Sequence, residues 1–256
     1  MVEDQLFELL EFNYRKYNTD SFIENDPISI PHHFTKLQDI EISGLFAATL
    51  AWGLRKTIIS KTMELMELFD FAPHEFIMNH SEKDLKGLMK FKHRTFNSTD
   101  LLYFIHFLKK IYTIHSSLEY LFVPTEENSK NVKSGIDRFY VNFISDEFFP
   151  LRTKKHVASP SKKSACKRIN MFLRWMVRKD DCGVDFGLWN RIKTQHLVCP
   201  CDIHVEKVAR NLGLITRNQV DWIMAEELTQ NLKKFDPKDP VKYDFALFGM
   251  GMYGDF

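Results

Sequence analysis

Apolar residues recur at the three- and four-residue spacing of helices along almost the whole chain. Such periodicity is typical of amphipathic helices, and 10 glycines and 9 prolines provide few turns for a many-stranded sheet. The predicted helices cover residues 2–17, about 39–52, a segment ending at Phe69, a segment opening at Thr99-Asp100, and residues 125–147, 161–178, 202–212, 217–234 and 240–252. The sequence therefore predicts an all-α fold.

Local signals indicate where several of these helices begin and end. Asp39 and Asp202 each precede an apolar helical pattern, so both are candidate N-caps. Gly213 is a natural residue just beyond the end of helix 202–212. Residues 44–52 are apolar on nearly every side, which predicts a buried helix.

The predicted helix 161–178 has two distinct faces. The apolar face, which we expect to contact the core, carries Ala165, Ile169, Phe172, Leu173, Met176 and Val177. The opposite face carries Lys163, Lys167, Asn170, Arg174 and Arg178, and we expect it to be solvated. The hydroxyl groups of Ser159, Ser161 and Ser164 and the helix start would suit a phosphate. The alternative is an ordinary amphipathic helix whose basic side faces only water.

Charge is distributed unevenly along the chain. Residues 151–213 contain 14 Lys and Arg against 5 Asp and Glu. The rest of the chain contains 21 Lys and Arg against 29 Asp and Glu. This asymmetry indicates an anionic partner for the basic segment, although a solvated lysine-rich face would give the same counts.

The four cysteines do not form a recognisable disulfide or metal pattern. Cys199 and Cys201, with His196 and His204 nearby, make the best cluster for zinc, and His32-His33 is the other candidate. Because no C-x-x-C pair is present, we expect no metal and no other cofactor. No signal peptide and no transmembrane stretch is visible, which predicts a cytoplasmic protein without membrane contact.

Two segments resemble the helix–hairpin–helix DNA glycosylase superfamily, nearest the archaeal 8-oxoguanine DNA glycosylases. Residues 166–175 are similar to the helix that carries the catalytic lysine of that branch, and residues 200–215 to the helix that carries its catalytic aspartate. Residues 157–164 lack the glycines of the usual hairpin. The whole chain also resembles a bacterial family of unknown function, through elements such as residues 51–55, 159–164 and 236–249.

The glycosylase resemblance implies a helical, two-lobed fold with an atypical helix–hairpin–helix in a single domain. The implied lobes are about residues 36–150 and residues 1–35 plus 151–256. The implied function is base-excision repair: a DNA glycosylase/AP lyase that acts on double-stranded DNA with a flipped-out, damaged base, an oxidised purine. A non-catalytic nucleic-acid-binding protein with the same fold is the alternative. We expect a monomer.

The resemblance also assigns roles to residues. Lys167 is the implied nucleophile and Asp202 its carboxylate partner, with Lys163 as the rival nucleophile. Trp52 is the first candidate for the base pocket, ahead of Trp175 and Phe245, while Arg55 and His204 are possible contacts to phosphate or base. The DNA-binding set comprises Ser159, Ser161, Lys162, Lys163 and Arg174.

Overall fold

The computed structural model describes residues 2–126 and 129–254. Its helices are α1 Glu3–Tyr17, α2 Asp20–Glu24, α3 Leu37–Thr49, α4 Arg55–Leu68, α5 Pro73–Asn79, α6 Glu82–Gly87, α7 Ser98–Ile114, α8 Glu119–Phe122, α9 Lys133–Ile144, α10 Lys167–Val177, α11 Ile203–Asn211, α12 Trp222–Leu232 and α13 Tyr243–Tyr253. The strands β1 Lys92–His93 and β2 Phe96–Asn97 form one antiparallel hairpin. The predicted all-α fold is confirmed.

Short 3₁₀ turns fill several connections between these helices. They comprise Pro27–Ser29, Pro31–His33, Leu88–Lys90, Leu151–His156, Pro160–Lys162, Thr194–His196 and Pro240–Lys242. No helix in the described part of the chain is both long enough and apolar enough to cross a membrane.

Several predicted helix boundaries are wrong, including that of helix 217–234, which begins only at Trp222. The helix α3 begins after Lys36, and Asp39 lies in its first turn, where its Oδ1 accepts a hydrogen bond from the backbone N–H of His74 at 2.8 Å. The predicted helix 125–147 is helical only from Lys133 to Ile144, and residues 127 and 128 lie outside the described residues. The predicted helix 161–178 begins only at Lys167, after a 3₁₀ turn.

The chain divides into two compact units. Unit 1 contains the described residues of segments 1–24, 124–134 and 159–256, and unit 2 contains residues 25–123 and 135–158. The lobes that the resemblance implies place residues 124–134 in the lobe 36–150, whereas the structure places this segment in unit 1. Unit 1 therefore draws its helices from both sides of unit 2 in the sequence.

Unit 2 is built around α3. Residues 40–50 are all buried, which confirms the predicted buried helix. A cluster of phenylalanine rings surrounds it, with the Phe46 and Phe104 centroids 5.7 Å apart. A carboxylate buried in this core, Glu41, accepts hydrogen bonds from the Tyr112 hydroxyl at 2.8 Å and from the backbone N–H of Leu118 at 3.1 Å.

The packing of α1 against α13 in unit 1 depends on a glycine. A Cβ atom at Gly249 would lie 2.1 Å from the ring of Tyr17, which stacks on Tyr253 with centroids 5.4 Å apart. We expect Gly249→Ala to lower the free energy of unfolding by about 1–3 kcal/mol, because the tyrosine must move. Urea denaturation measures this.

The matched control is Gly87→Ala at the end of α6, where a Cβ would meet nothing within 4 Å. Alanine favours a helix by up to ~1 kcal/mol over glycine, so this variant should be neutral or stabilised. Equal effects of the two substitutions would contradict the packing argument.

Candidate active site

Lys167 is the first residue of α10 and projects from the turn that starts this helix. The residue before it, Cys166, has a left-handed backbone with φ of 52°, a conformation uncommon for a non-glycine residue. The Cys166 N–H donates to Oγ of Ser164 at 3.1 Å, and its carbonyl accepts the first helical bond, from Asn170 N. This local geometry sets where Lys167 leaves the backbone.

Asp202 is the N-cap of α11, as predicted. Its Oδ1 accepts hydrogen bonds from the backbone N–H groups of His204 and Val205, both at 2.9 Å. Its other oxygen, Oδ2, lies 3.9 Å from Nζ of Lys167. The two side chains keep 31% and 17% of their surface exposed. One carboxylate oxygen is thus held by the helix start, while the other faces an amine that solvent can reach.

Lys163, the rival nucleophile, lies elsewhere on the same segment. It ends the 3₁₀ turn Pro160–Lys162 with φ of 60°, and its side chain is exposed. Among the residues that the structure describes, Lys163 forms no ion pair with a carboxylate. The structure therefore brings Lys167, and not Lys163, to Asp202.

The polar face of α10 is not solvated beyond its first turn. The apolar face is buried as predicted, but Asn170, Arg174 and Arg178 are buried as well. Arg174 Nε lies 3.2 Å from Oδ1 of Asp185, and its Nη1 donates to Oδ2 of Asp244. The predicted DNA contact of Arg174 is therefore wrong, since its charge is used inside the protein.

Arg178 lies deeper along the same face and is also fully paired. Its guanidinium contacts Asp239 at 2.8 Å, Asp180 at 2.7 Å and Asp185 at 3.1 Å, and it donates to the Tyr14 hydroxyl at 2.9 Å. Burial raises the pKa of Asp239 despite this contact. For Asp180, burial is outweighed by Arg178 and hydrogen bonds, which lower its pKa.

We call the three pairs Lys167–Asp202, Arg174–Asp244 and Arg178–Asp185 the ion-pair ladder. Lys167 and Arg174 occupy positions i and i+7 of α10, and Arg178, at i+11, is the residue at which the helix ends, so the three lie on one face. At 1.5 Å per residue, the Cα of Arg174 is about 10 Å along the helix from that of Lys167. The Arg178 and Arg174 side chains are 1% and 4% exposed. The ladder therefore reaches solvent at its outer pair, Lys167–Asp202.

Asp185 is shared by both buried arginines, so its removal should be costly. We expect Asp185→Ala to lower the free energy of unfolding by about 3–5 kcal/mol, because it takes from two buried guanidiniums the carboxylate that they share and leaves the N–H groups that faced it without that partner. The control is Asp181→Ala, at an exposed position of the same loop, which should change stability by less than ~0.5 kcal/mol. A similar loss in both variants would show that the pairs are not a stabilising unit.

Comparison with known proteins places the chain in a family but gives no activity. Residues 26–253 match the family described as "Protein of unknown function (DUF2400)". The chain belongs to this family. No curated protein and no solved structure matches it significantly. The expected membership of a family of unknown function is confirmed, while the DUF2400 match does not bear on the resemblance to DNA glycosylases.

The remaining predicted DNA contacts of this DUF2400 protein fall into two groups. Ser161, Lys162 and Lys163 are exposed on the turn that precedes α10. Ser159 is 2% exposed, so the prediction that it offers its hydroxyl to DNA at the surface is wrong. The residue that follows it, Pro160, is buried as well.

The three aromatic candidates for a base pocket differ in exposure. Trp175 and Phe245 are fully buried in unit 1, the latter against the guanidinium of Arg174 at 4.2 Å. Neither can line an open pocket. Trp52 lies in unit 2 and is partly exposed. Its ring stacks on His156 at 5.6 Å and meets the edge of His93 at 5.0 Å.

The cysteine–histidine cluster does not form a metal site. Within residues 2–126 and 129–254, no group of three or more His, Cys, Asp or Glu side chains is arranged to hold a metal ion. Cys199 and Cys201 are buried thiols, and burial raises the pKa of Cys201 to about 12. His204 instead packs α11 on α13, with Nδ1 3.2 Å from the carbonyl oxygen of Gly251.

Proposed function

We propose that this protein is a DNA glycosylase/AP lyase of base-excision repair, with Lys167 as nucleophile and Asp202 as its carboxylate partner. The observation that carries the proposal is the outer pair of the ion-pair ladder, where an accessible amine faces a rigidly capped carboxylate at 3.9 Å. Nucleophilic lysines require an adjacent base and a defined geometry, and this arrangement supplies both.

The chemistry follows from the two groups. The neutral amine of Lys167 attacks C1′ of a damaged nucleotide, and the bond from C1′ to the base breaks as the C1′–N bond to the lysine forms. Oδ2 of Asp202 accepts the proton that the attacking nitrogen loses, and its charge stabilises the positive charge that develops on the sugar. Opening of the sugar ring then gives a Schiff base, from which β-elimination cleaves the strand.

DNA binding is assigned to the exposed turn beside the nucleophile. Ser161, Lys162 and Lys163 offer a hydroxyl and two ammonium groups, and phosphate contacts of this kind supply most of the affinity for a duplex. For an extruded base, an oxidised purine, the role of Trp52 stays a prediction from the resemblance; within unit 2 its ring is partly exposed and stacks on His156. Aromatic faces stack unpaired bases irrespective of sequence.

Borohydride trapping tests the proposal. The protein is incubated with three duplexes, carrying 8-oxoguanine, an abasic site or no damage, and the Schiff base is reduced in place. We expect a covalent adduct with a damaged duplex and none with the undamaged one. No adduct, with salt-dependent binding retained, would favour the non-catalytic nucleic-acid-binding alternative. Absence of binding to any duplex would rule out both the glycosylase/AP lyase and the non-catalytic DNA-binding protein.

A further inference from the structure

Three segments of unit 2 that are far apart in the sequence meet on its surface. They are residues 51–56, which lead from α3 into α4, the hairpin 92–97 and the 3₁₀ turn 151–156. Together they contain seven lysines and arginines and no aspartate or glutamate. This part of unit 2 is therefore strongly cationic.

Ring contacts and hydrogen bonds join these segments to one another. The Trp52 ring stacks on His156 with centroids 5.6 Å apart, and the Trp52 carbonyl oxygen lies 3.3 Å from Nε2 of His93. Arg152 Nη2 donates to the carbonyl oxygen of Thr95 at 3.1 Å. The three segments thus form one continuous surface.

Most of the positive charge on this surface points to solvent. The charge of Arg152 is offset by the buried Asp100, at 2.9 Å. The other exposed cations of the hairpin and the 3₁₀ turn, which we call the unit 2 cations, are Lys92, Arg94, Lys154 and Lys155. Such a group of like charges attracts a polyanion.

Arg94 is fixed beside Trp52 by a backbone conformation that arginine rarely adopts. Its φ is 53°, and turn positions of this kind usually take glycine, asparagine or aspartate. A Cβ atom at Gly53, where φ is 106°, would lie 2.6 Å from Nη1 of Arg94, so the guanidinium lies over the bare backbone of this glycine. An unfavourable backbone that holds a cation in place indicates a functional role rather than a stabilising one.

Apolar side chains lie among the cations. The Trp52 ring is partly exposed and is held by the rings of His156 and His93, the latter at 5.0 Å. Leu54 follows two residues later and is 78% exposed. Phosphate groups alone would use only the cations, whereas the unstacked bases of a single strand also use a fixed aromatic ring. In a duplex the bases are hidden in the stack.

We propose that this surface of unit 2 binds single-stranded nucleic acid irrespective of its sequence. The unit 2 cations contact the phosphates, and a base stacks on Trp52 beside the Arg94 guanidinium. The inference goes beyond the proposed function, because this binding requires neither a damaged base nor Lys167.

The affinity for an undamaged strand tests the proposal. Fluorescence anisotropy measures binding of a labelled oligothymidine of about 20 nucleotides, long enough to span the site of a typical single-strand-binding fold. An oligouridine, a duplex of the same length and vesicles containing phosphatidylserine are the comparison ligands, and the oligouridine distinguishes RNA from DNA. We expect at least one single strand to bind more tightly than the duplex. The proposal is overturned if neither does, or if only the vesicles bind.

Arg94→Gly should separate binding from stability. At about 50 mM salt the affinity for oligothymidine should fall on the order of tenfold, and the slope of its logarithm against the logarithm of the salt concentration should fall by about 0.7. The melting temperature should not fall, because glycine adopts a positive φ without strain.

Two variants of the same unit are the controls for this substitution. Asp70→Gly makes the same kind of backbone change at an exposed residue with φ of 52°, and it should not weaken binding. Lys83→Gln removes an exposed charge from α6, and the affinity should stay within about twofold. Equal losses of affinity in Arg94→Gly and Lys83→Gln would show that only the net charge of the protein matters, against the proposal.

A second measurement needs no variant. Of the four tryptophans, Trp175, Trp189 and Trp222 are buried, so a bound base can stack only on Trp52. Saturating oligothymidine should quench part of the tryptophan fluorescence, and binding without quenching would contradict the proposal. Because the strand is undamaged and nothing is trapped, absence of a borohydride adduct would count against the role of Lys167 alone. An adduct without single-strand binding would count against the unit 2 surface alone.

Discussion

Replacing Lys167 with glutamine should abolish the covalent adduct that borohydride traps, while the affinity for the damaged duplex stays within a few fold. The glutamine amide is not a nucleophile but remains able to donate a hydrogen bond to Asp202. We expect the yield of adduct to fall on the order of 10³-fold or more, as happens when a covalent nucleophile is removed. Gel analysis of the trapped complex measures the yield, and a binding titration measures the affinity.

The control for this variant is Lys163→Gln. Lys163 is exposed on the turn just before α10. Its removal should weaken DNA binding and lower, by about one, the slope of the logarithm of the affinity against the logarithm of the salt concentration. Adduct formation at saturating DNA should persist. If the adduct is lost in Lys163→Gln and still forms in Lys167→Gln, Lys163 is the nucleophile.

Asp202→Asn should separate chemistry from helix capping. Asparagine and aspartate are equally good N-caps, so Oδ1 can still accept from the N–H groups of His204 and Val205. The free energy of unfolding should therefore change by less than ~0.5 kcal/mol. The amide cannot take a proton from the amine, so we expect the rate of adduct formation to fall by about 10²–10⁴-fold.

Two comparisons make this prediction specific. Asp202→Ala should lose adduct formation as Asp202→Asn does, and should also lose about 1 kcal/mol of stability, because the cap is removed. Asp221→Asn is the matched control: Asp221 caps α12 by accepting from Met224 N at 3.1 Å, and its substitution should leave adduct formation unchanged. An unchanged rate in Asp202→Asn would mean that this carboxylate only caps the helix.

The helix that Asp202 caps could be predicted from the sequence because the signals at its two ends are local. Asp202 stands before an apolar pattern that ends at Gly213, and both positions have the predicted roles: Asp202 caps α11, and Gly213 has φ of 70°. Lys167 and Asp202 are separated by 34 residues, and only the resemblance implied that they lie close together. The spacing of apolar residues predicts helices, but it does not show which helix starts are neighbours in the fold.

The inner pairs could not be predicted, because periodicity does not distinguish a solvated charged face from a buried, ion-paired one. Some partners of Arg174 and Arg178 lie in the loop just after α10, but Asp239 and Asp244 lie 61 and 70 residues away from the arginines that they contact. Two features of the sequence are consistent with buried ion pairs at these positions. The deeper positions of the face carry arginine, which suits buried pairs better than lysine does. Asp244 is the single acid in the apolar run Tyr243–Met250.

The division of unit 1 into three segments has a consequence for synthesis on the ribosome. All of unit 2 has been translated by residue 158, so its core can assemble while the rest of the chain is still being made. Unit 1 must wait, since α1 packs against α13, and these helices are separated by more than two hundred residues. Contacts of such long range form slowly. Lys167 and Asp202 therefore acquire their geometry late, and a chain terminated before α13 would contain both residues without the helix that supports them.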